Sequence, residues 1–246
     1  MFTEIKDLYL RTRKPNEPLW TTWMSRPFGA AFAWMLRDTR VTPNHVSFLA
    51  LFVSLVGAAV LLTWLSWPGL VVAILIYQLA YIIDCADGML ARLRGTASPV
   101  GHLLDFLGDE IKAKVLLGAV AVRLYLISHE PLYLVAGIAG VLLVSIAISL
   151  TTFTRRPEYT GPPPEPAPTP DAPERPPSLL RRAVSLVEWG ARSLMNYPIY
   201  IVFLAVADAI EVYFWVYIGI YIIYVLRMSL QIFLKLGRLA PRTPPE

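Results

Sequence analysis

The chain has 246 residues, 56% of them hydrophobic and 16% charged, with a formal net charge of +4 and a mean hydropathy of +0.53. That composition excludes an ordinary soluble domain and points to one membrane domain. The modest positive charge suits an anionic membrane surface, not nucleic acid, and the single cysteine, Cys85, excludes an intrachain disulfide.

The opening residues, MFTEIKDLYLRTRKPNEP, are too polar and charged for a secretory signal. Residues 19–40 interleave Trp20, Trp23, Phe28, Phe32 and Trp34 with Arg26, Arg37 and Arg40. This pattern predicts an amphipathic helix lying in the membrane interface, kinked at Pro27; a helix packed over the domain is the alternative. Thr42-Pro43 then reads as a helix start with proline in the first turn. Apolar runs of roughly membrane-crossing length predict six spans, at 46–64, 70–92, 101–127, 132–153, 194–207 and 212–234. Trp64 and Trp67 mark the far end of the first span, as aromatic-belt residues do. Ten prolines between Pro157 and Pro177 predict an unfolded linker, and residues 178–192 predict a second interfacial helix. The expected organisation is therefore a cytosolic N-terminus (1–45), spans one to four (46–153), a cytosolic loop (154–193), spans five and six (194–234) and a tail (235–246).

Basic residues orient this arrangement. Eighteen of the 22 fall before residue 46, in the 92–94 loop, between 155 and 192, or after 234, and the opposite turns hold none. The positive-inside rule places both termini and these loops in the cytosol, as in a cell inner membrane or its equivalent.

The stretch DCADGMLARLRGTASPVGHLLDFLGD, residues 84–109, joins the second span to the third. Asp84, Asp87, Gly88 and Ala91 recur at one helical face, and Gly101, Asp105 and Asp109 at one face of another. Arg94, Gly95 and Pro99 suit the loop between. Carboxylates at the edge of a hydrocarbon layer are costly and read as functional. Two such charges about 5 Å apart repel by roughly 3 kcal/mol at an effective dielectric of 20, so four brought together need a cation. Carboxylate oxygens suit Mg²⁺, Mn²⁺ or Ca²⁺. Gly88 and Ala91 leave the aspartate face bare for a phosphorylated ligand.

The spacing D-x2-D-G-x2-A-R-x8-G-x3-D-x3-D resembles the signature of the CDP-alcohol phosphotransferase (phosphatidyltransferase) family at every specified position. The resemblance implies an all-α integral membrane enzyme. In it, the hydroxyl of a small alcohol attacks the phosphorus of a CDP-linked donor, and CMP leaves. It implies Mg²⁺ or Mn²⁺, two ions, held by Asp84, Asp87, Asp105 and Asp109, with Asp109 as general base. It implies a nucleotide site of Asp84, Asp87, Gly88, Ala91, Arg92, Gly101 and Asp105, with Asn44 of a Thr-Pro-Asn that resembles a family element. The family commonly forms homodimers. Arg155 and Arg156, with a partial Arg-x-Glu match at Arg156-Pro157-Glu158, suit a phosphate-bearing acceptor, as does Lys112 three residues after Asp109. Inositol phosphate, glycerol phosphate and serine are acceptors of this type, with CDP-diacylglycerol as donor. Transfer from CDP-choline or CDP-ethanolamine to diacylglycerol is one alternative. A carboxylate-based ion or proton transporter is another, though it predicts repeats and mid-membrane carboxylates that the sequence lacks.

Overall fold

The computed structural model describes residues 2–12, 21–160 and 200–239, and among these the chain is all-helical. Helix α1 covers Phe2–Thr12. A π-helical turn, Thr21–Ser25, leads into α2, Arg26–Leu36. Then come α3 (Pro43–Thr63), α4 (Trp67–Leu93), α5 (Pro99–Ser128) and α6 (Leu132–Thr154). They are followed by α7 (Pro157–Thr160), α8 (Ile201–Val206) and α9 (Ile210–Leu239). Among the described residues, four helices are long and apolar enough to cross a membrane: α3, α4, α6 and Ile210–Gly237 of α9. Helix α5 has 30 residues, enough to span, but carries Asp105, Asp109, Glu110, Lys112, Lys114 and Arg123. The expected fifth span reaches the described residues only as α8. The expected interfacial helix at 178–192 and the linker beyond Thr160 lie outside them.

The chain divides into two compact units, residues 1–138 with 196–214 and residues 139–195 with 215–246. In the first, α3 packs against both α4 and α5, and α2 packs against α4. The core joins Leu8, Ala30, Ala33, Val46, Ala50, Ile83, Ala86, Met89 and Leu90. Small residues let the helices approach closely. A Cβ on Gly57 would come within 2.9 Å of the Tyr77 ring, and one on Gly29 within 3.2 Å of Cys85 Cβ.

Two arginines clasp the turns at either end of α3. Arg94 donates to the carbonyls of Leu36, Arg37, Thr39 and Val41. Arg123, 1% exposed, donates to Leu61 and Trp64 at 2.9 Å, Leu65 at 2.8 Å and Ser66 at 2.9 Å. Carbonyls at a helix C-terminus lack intrahelical partners and carry partial negative charge, so a cation there both bonds and neutralises. Arg94 accounts for the termination of α2 at Leu36, where the amphipathic pattern alone runs on to Arg40. The expected single helix over 19–40 is instead a π-helical turn and a shorter α-helix, with Pro27 in the first turn of α2. Gly29, Ala30 and Ala33 are buried, while Trp23, Phe28 and Met35 are exposed. Helix α1 was not foreseen. Its Leu8 is buried in the core, and Arg26 donates to the Thr12 carbonyl at 2.8 Å. Arg37 and Trp34 bond the Glu4 carboxylate and hold it below its ordinary pKa.

In the second unit the Thr151 and Tyr224 hydroxyls pair at 2.8 Å. Lys235 lies 4.0 Å over the Tyr159 ring and donates to its carbonyl at 2.6 Å. The Lys235 contacts fall on α7, so the first four residues of the expected linker form a helical turn. Pro157 suits its first position, where no N–H is needed.

Candidate active site

Each arm of the motif ends in a sequence-encoded cap. Helix α4 closes on a Schellman motif: Thr96 N–H bonds the Ala91 carbonyl at 2.9 Å, and Gly95 N–H bonds Arg92 at 3.2 Å. Gly95 takes φ +65°, a conformation glycine adopts without strain. Helix α5 opens with Ser98 as N-cap, its hydroxyl accepting from Gly101 N–H at 3.1 Å. Thr42 caps α3 reciprocally with His45, each bond 3.3 Å, which leaves Asn44 exposed in the first turn.

These helices bring Asp84, Asp105 and Asp109 together, with one carboxylate oxygen of each within 4.8 Å of the others. Asp84 comes from α4, and Asp105 and Asp109 sit one turn apart on α5, as the spacing predicts. Exposure is graded: the Asp84 side chain is 11% exposed and that of Asp109 58%. Asp87 falls outside this group of three. It is 6% exposed, and the Ser47 hydroxyl of α3 donates to its Oδ2. Three hard carboxylates from two helices, converging where a cation is already accommodated as described next, fit a divalent ion.

Lys112 faces the carboxylate cluster. It is 2% exposed, and its ammonium donates to Asp84 Oδ1 and lies 2.8 Å from Asp109 Oδ1. The lysine is therefore held by the carboxylates and does not snorkel. The guanidinium of Arg92 runs over Gly88, where a Cβ would stand 3.4 Å from it; Ala91 is half-buried. Arg155 and Arg156 are exposed just past the end of α6 in the second unit. Cys85 packs under Gly29 of α2.

A cavity of about 90 Å³ opens onto Asp84 and Asp105. Its remaining lining is apolar apart from Ser47: Phe48, Leu51, Leu104, Leu107, Gly108 and Ile111. Sequence reasoning missed Ser47, because nothing in a local pattern links it to an aspartate 40 residues away.

The family model for CDP-alcohol phosphatidyltransferases matches residues 40–169, more than half of the chain. The chain belongs to the CDP-alcohol phosphatidyltransferase family. An archaetidylinositol phosphate synthase of Aeropyrum pernix is 30% identical over 117 residues, 44% of this chain and 58% of that protein. The match thus spans little more than half the length of that curated relative. The phosphatidylinositol phosphate synthase of Mycobacterium tuberculosis with CDP-DAG bound has a TM-score of 0.56 at 16% identity, covering 88% of this chain and 98% of that one. The same enzyme in complex with manganese and citrate gives 0.55 at 17% identity, covering 88% and 93%. At such identities these likenesses establish the fold.

Proposed function

We propose that the protein transfers a phosphatidyl group from CDP-diacylglycerol to a hydroxyl of a small anionic alcohol of the inositol phosphate type, releasing CMP. The observation that carries this reading is the convergence of Asp84, Asp105 and Asp109 from both arms of the motif. The cavity beside Asp84 and Asp105 is lined mostly by apolar side chains, which suits a small apolar part of such a donor next to the carboxylates. Both relatives act in inositol phosphate lipid synthesis by name, which favours this branch over transfer of CDP-choline or CDP-ethanolamine.

Asp84, Asp105 and Asp109, with Asp87 nearby, would hold Mg²⁺ or Mn²⁺, two ions in the full site. A bound divalent ion would neutralise pyrophosphate charge and that of the departing CMP. The chain's own residues do the rest. Gly88, Ala91, Arg92 and Gly101 form the nucleotide face, with Asn44 at the start of α3. Ser47 orients Asp87. Asp109, the most open carboxylate of the three, accepts the proton as the acceptor oxygen bonds to phosphorus and the bond to the CMP oxygen breaks. Arg155 and Arg156 bind the acceptor's phosphate. Lys112 is left out of the acceptor site because its ammonium is committed to Asp84 and Asp109.

The full topology in this reading has six spans, with the site, both termini and the Pro-rich loop cytosolic. Trp23, Phe28 and Met35 rest in the interface, and the protein works as a homodimer among membrane lipids. The deciding experiment is CMP release by purified protein with CDP-diacylglycerol against inositol phosphate, glycerol phosphate, serine and inositol. Release with the phosphorylated inositol and not with inositol is the expected result. Release only from CDP-choline or CDP-ethanolamine with diacylglycerol would overturn it.

A further inference from the structure

A buried lysine is expensive, and its cost is recovered only through close carboxylate partners. Lys112 has two, one from each arm of the motif: Asp84 across from α4 and Asp109 three residues back on α5. It grips one oxygen of each, Oδ1 in both cases, and leaves each carboxylate a second oxygen. Three ionised carboxylates and one ammonium carry a net charge of −2. Without the lysine the same cluster carries −3.

We propose that Lys112 is a built-in counter-cation of the carboxylate cluster, a positioning residue that holds α4 and α5 in register before metal arrives and then lowers the affinity for it. The inference rests on the metal-binding reading above. Its physical content is competition. A fixed positive charge in contact with Asp84 and Asp109 repels an incoming divalent ion and shares its ligands. The lysine thereby exchanges metal affinity for a metal-free site that is already assembled. A lysine with a purely structural role would leave metal affinity unchanged or, on removal, weaken it through disorder.

The test uses full-length protein purified in detergent, with no substrate, and Mn²⁺ as probe followed by the paramagnetic resonance of the free ion. Lys112→Met keeps the apolar stem and removes the charge. It should bind Mn²⁺ on the order of ten-fold more tightly than wild type, and Lys112→Arg should return toward wild type. Metal-free Lys112→Met should unfold at a lower temperature than wild type, and saturating Mn²⁺ should close the gap. Lys112→Gln, which retains an N–H donor for the carboxylates, serves the same comparison should the methionine variant fail to fold. Wild-type binding of Mn²⁺ with equal or weaker binding by the charge-removed variants would overturn the counter-cation role alone. Absence of Mn²⁺ binding by every form would overturn the metal site itself and the inference with it.

Discussion

Lys112 and Arg123 lie 11 residues apart on α5, three helical turns and so on one face, and both are almost fully buried, at 2% and 1% exposure. Their partners differ completely. Lys112 meets two carboxylate side chains at the motif end. Arg123 meets four backbone carbonyls of the last turn of α3 and the residues just after it at the other. Carboxylates can exchange one cation for another. Carbonyls at a helix end cannot leave their turn, and without the guanidinium they lose the donor that replaces their missing intrahelical partners. A buried charge therefore does not by itself mark a working site. The chemistry of what surrounds it separates a site from a brace.

Substitutions at the two ends should fail in opposite ways. The largest effect is expected at the motif end: Asp84→Asn and Asp105→Asn should each reduce CMP release by about 10³-fold or more, the scale of losing a charge-stabilising group. Both variants should still elute as folded, monodisperse protein in detergent. Asp109→Asn should lose turnover comparably while retaining much of its CDP-diacylglycerol binding by calorimetry. Lost donor binding would make Asp109 chiefly a ligand.

Next, Arg123→Met should damage the fold instead of the chemistry. Removing several bonds to a charged group should cost about 3 kcal/mol or more, read as a clear fall in thermal midpoint and yield. The fraction that remains folded should turn over near the wild-type rate. A stable Arg123→Met protein with impaired turnover would erase the contrast.

Arg155 and Arg156 extend the comparison to exposed cations. Each replaced by alanine should raise the acceptor KM by roughly 10- to 100-fold, with little change in donor KM, as expected for charge-assisted bonds. A rise in donor KM alone would assign them to the nucleotide or to membrane anchoring.

The smallest effect belongs to Ser47→Ala. It removes one hydroxyl bond to Asp87 and should lower kcat/KM by about 3- to 10-fold, near 1 kcal/mol. No change would mean that Asp87 needs no orienting partner.

By itself the sequence determined the elements and the chemistry of the motif. Long apolar runs have few alternatives to helices in a membrane, so the boundaries of α3 to α6 fall within a few residues of those expected. The i, i+3, i+4 rule places Asp105 and Asp109 on one face before any packing is known. Tertiary structure decided everything that depends on contacts between distant segments. Helix α1 is too polar to announce itself, and it earns its place through Leu8 and Arg26. The stop of α2 at Leu36 follows from Arg94, 58 residues further on. Asp87 turns to Ser47 because α3 packs against α4, and Lys112 lies between Asp84 and Asp109 because both arms pack on that same α3. Local periodicity reports which face a residue occupies. Which oxygen a buried ammonium or guanidinium finds is set only when the helices meet, since unpaired buried charge is what the packed fold cannot tolerate.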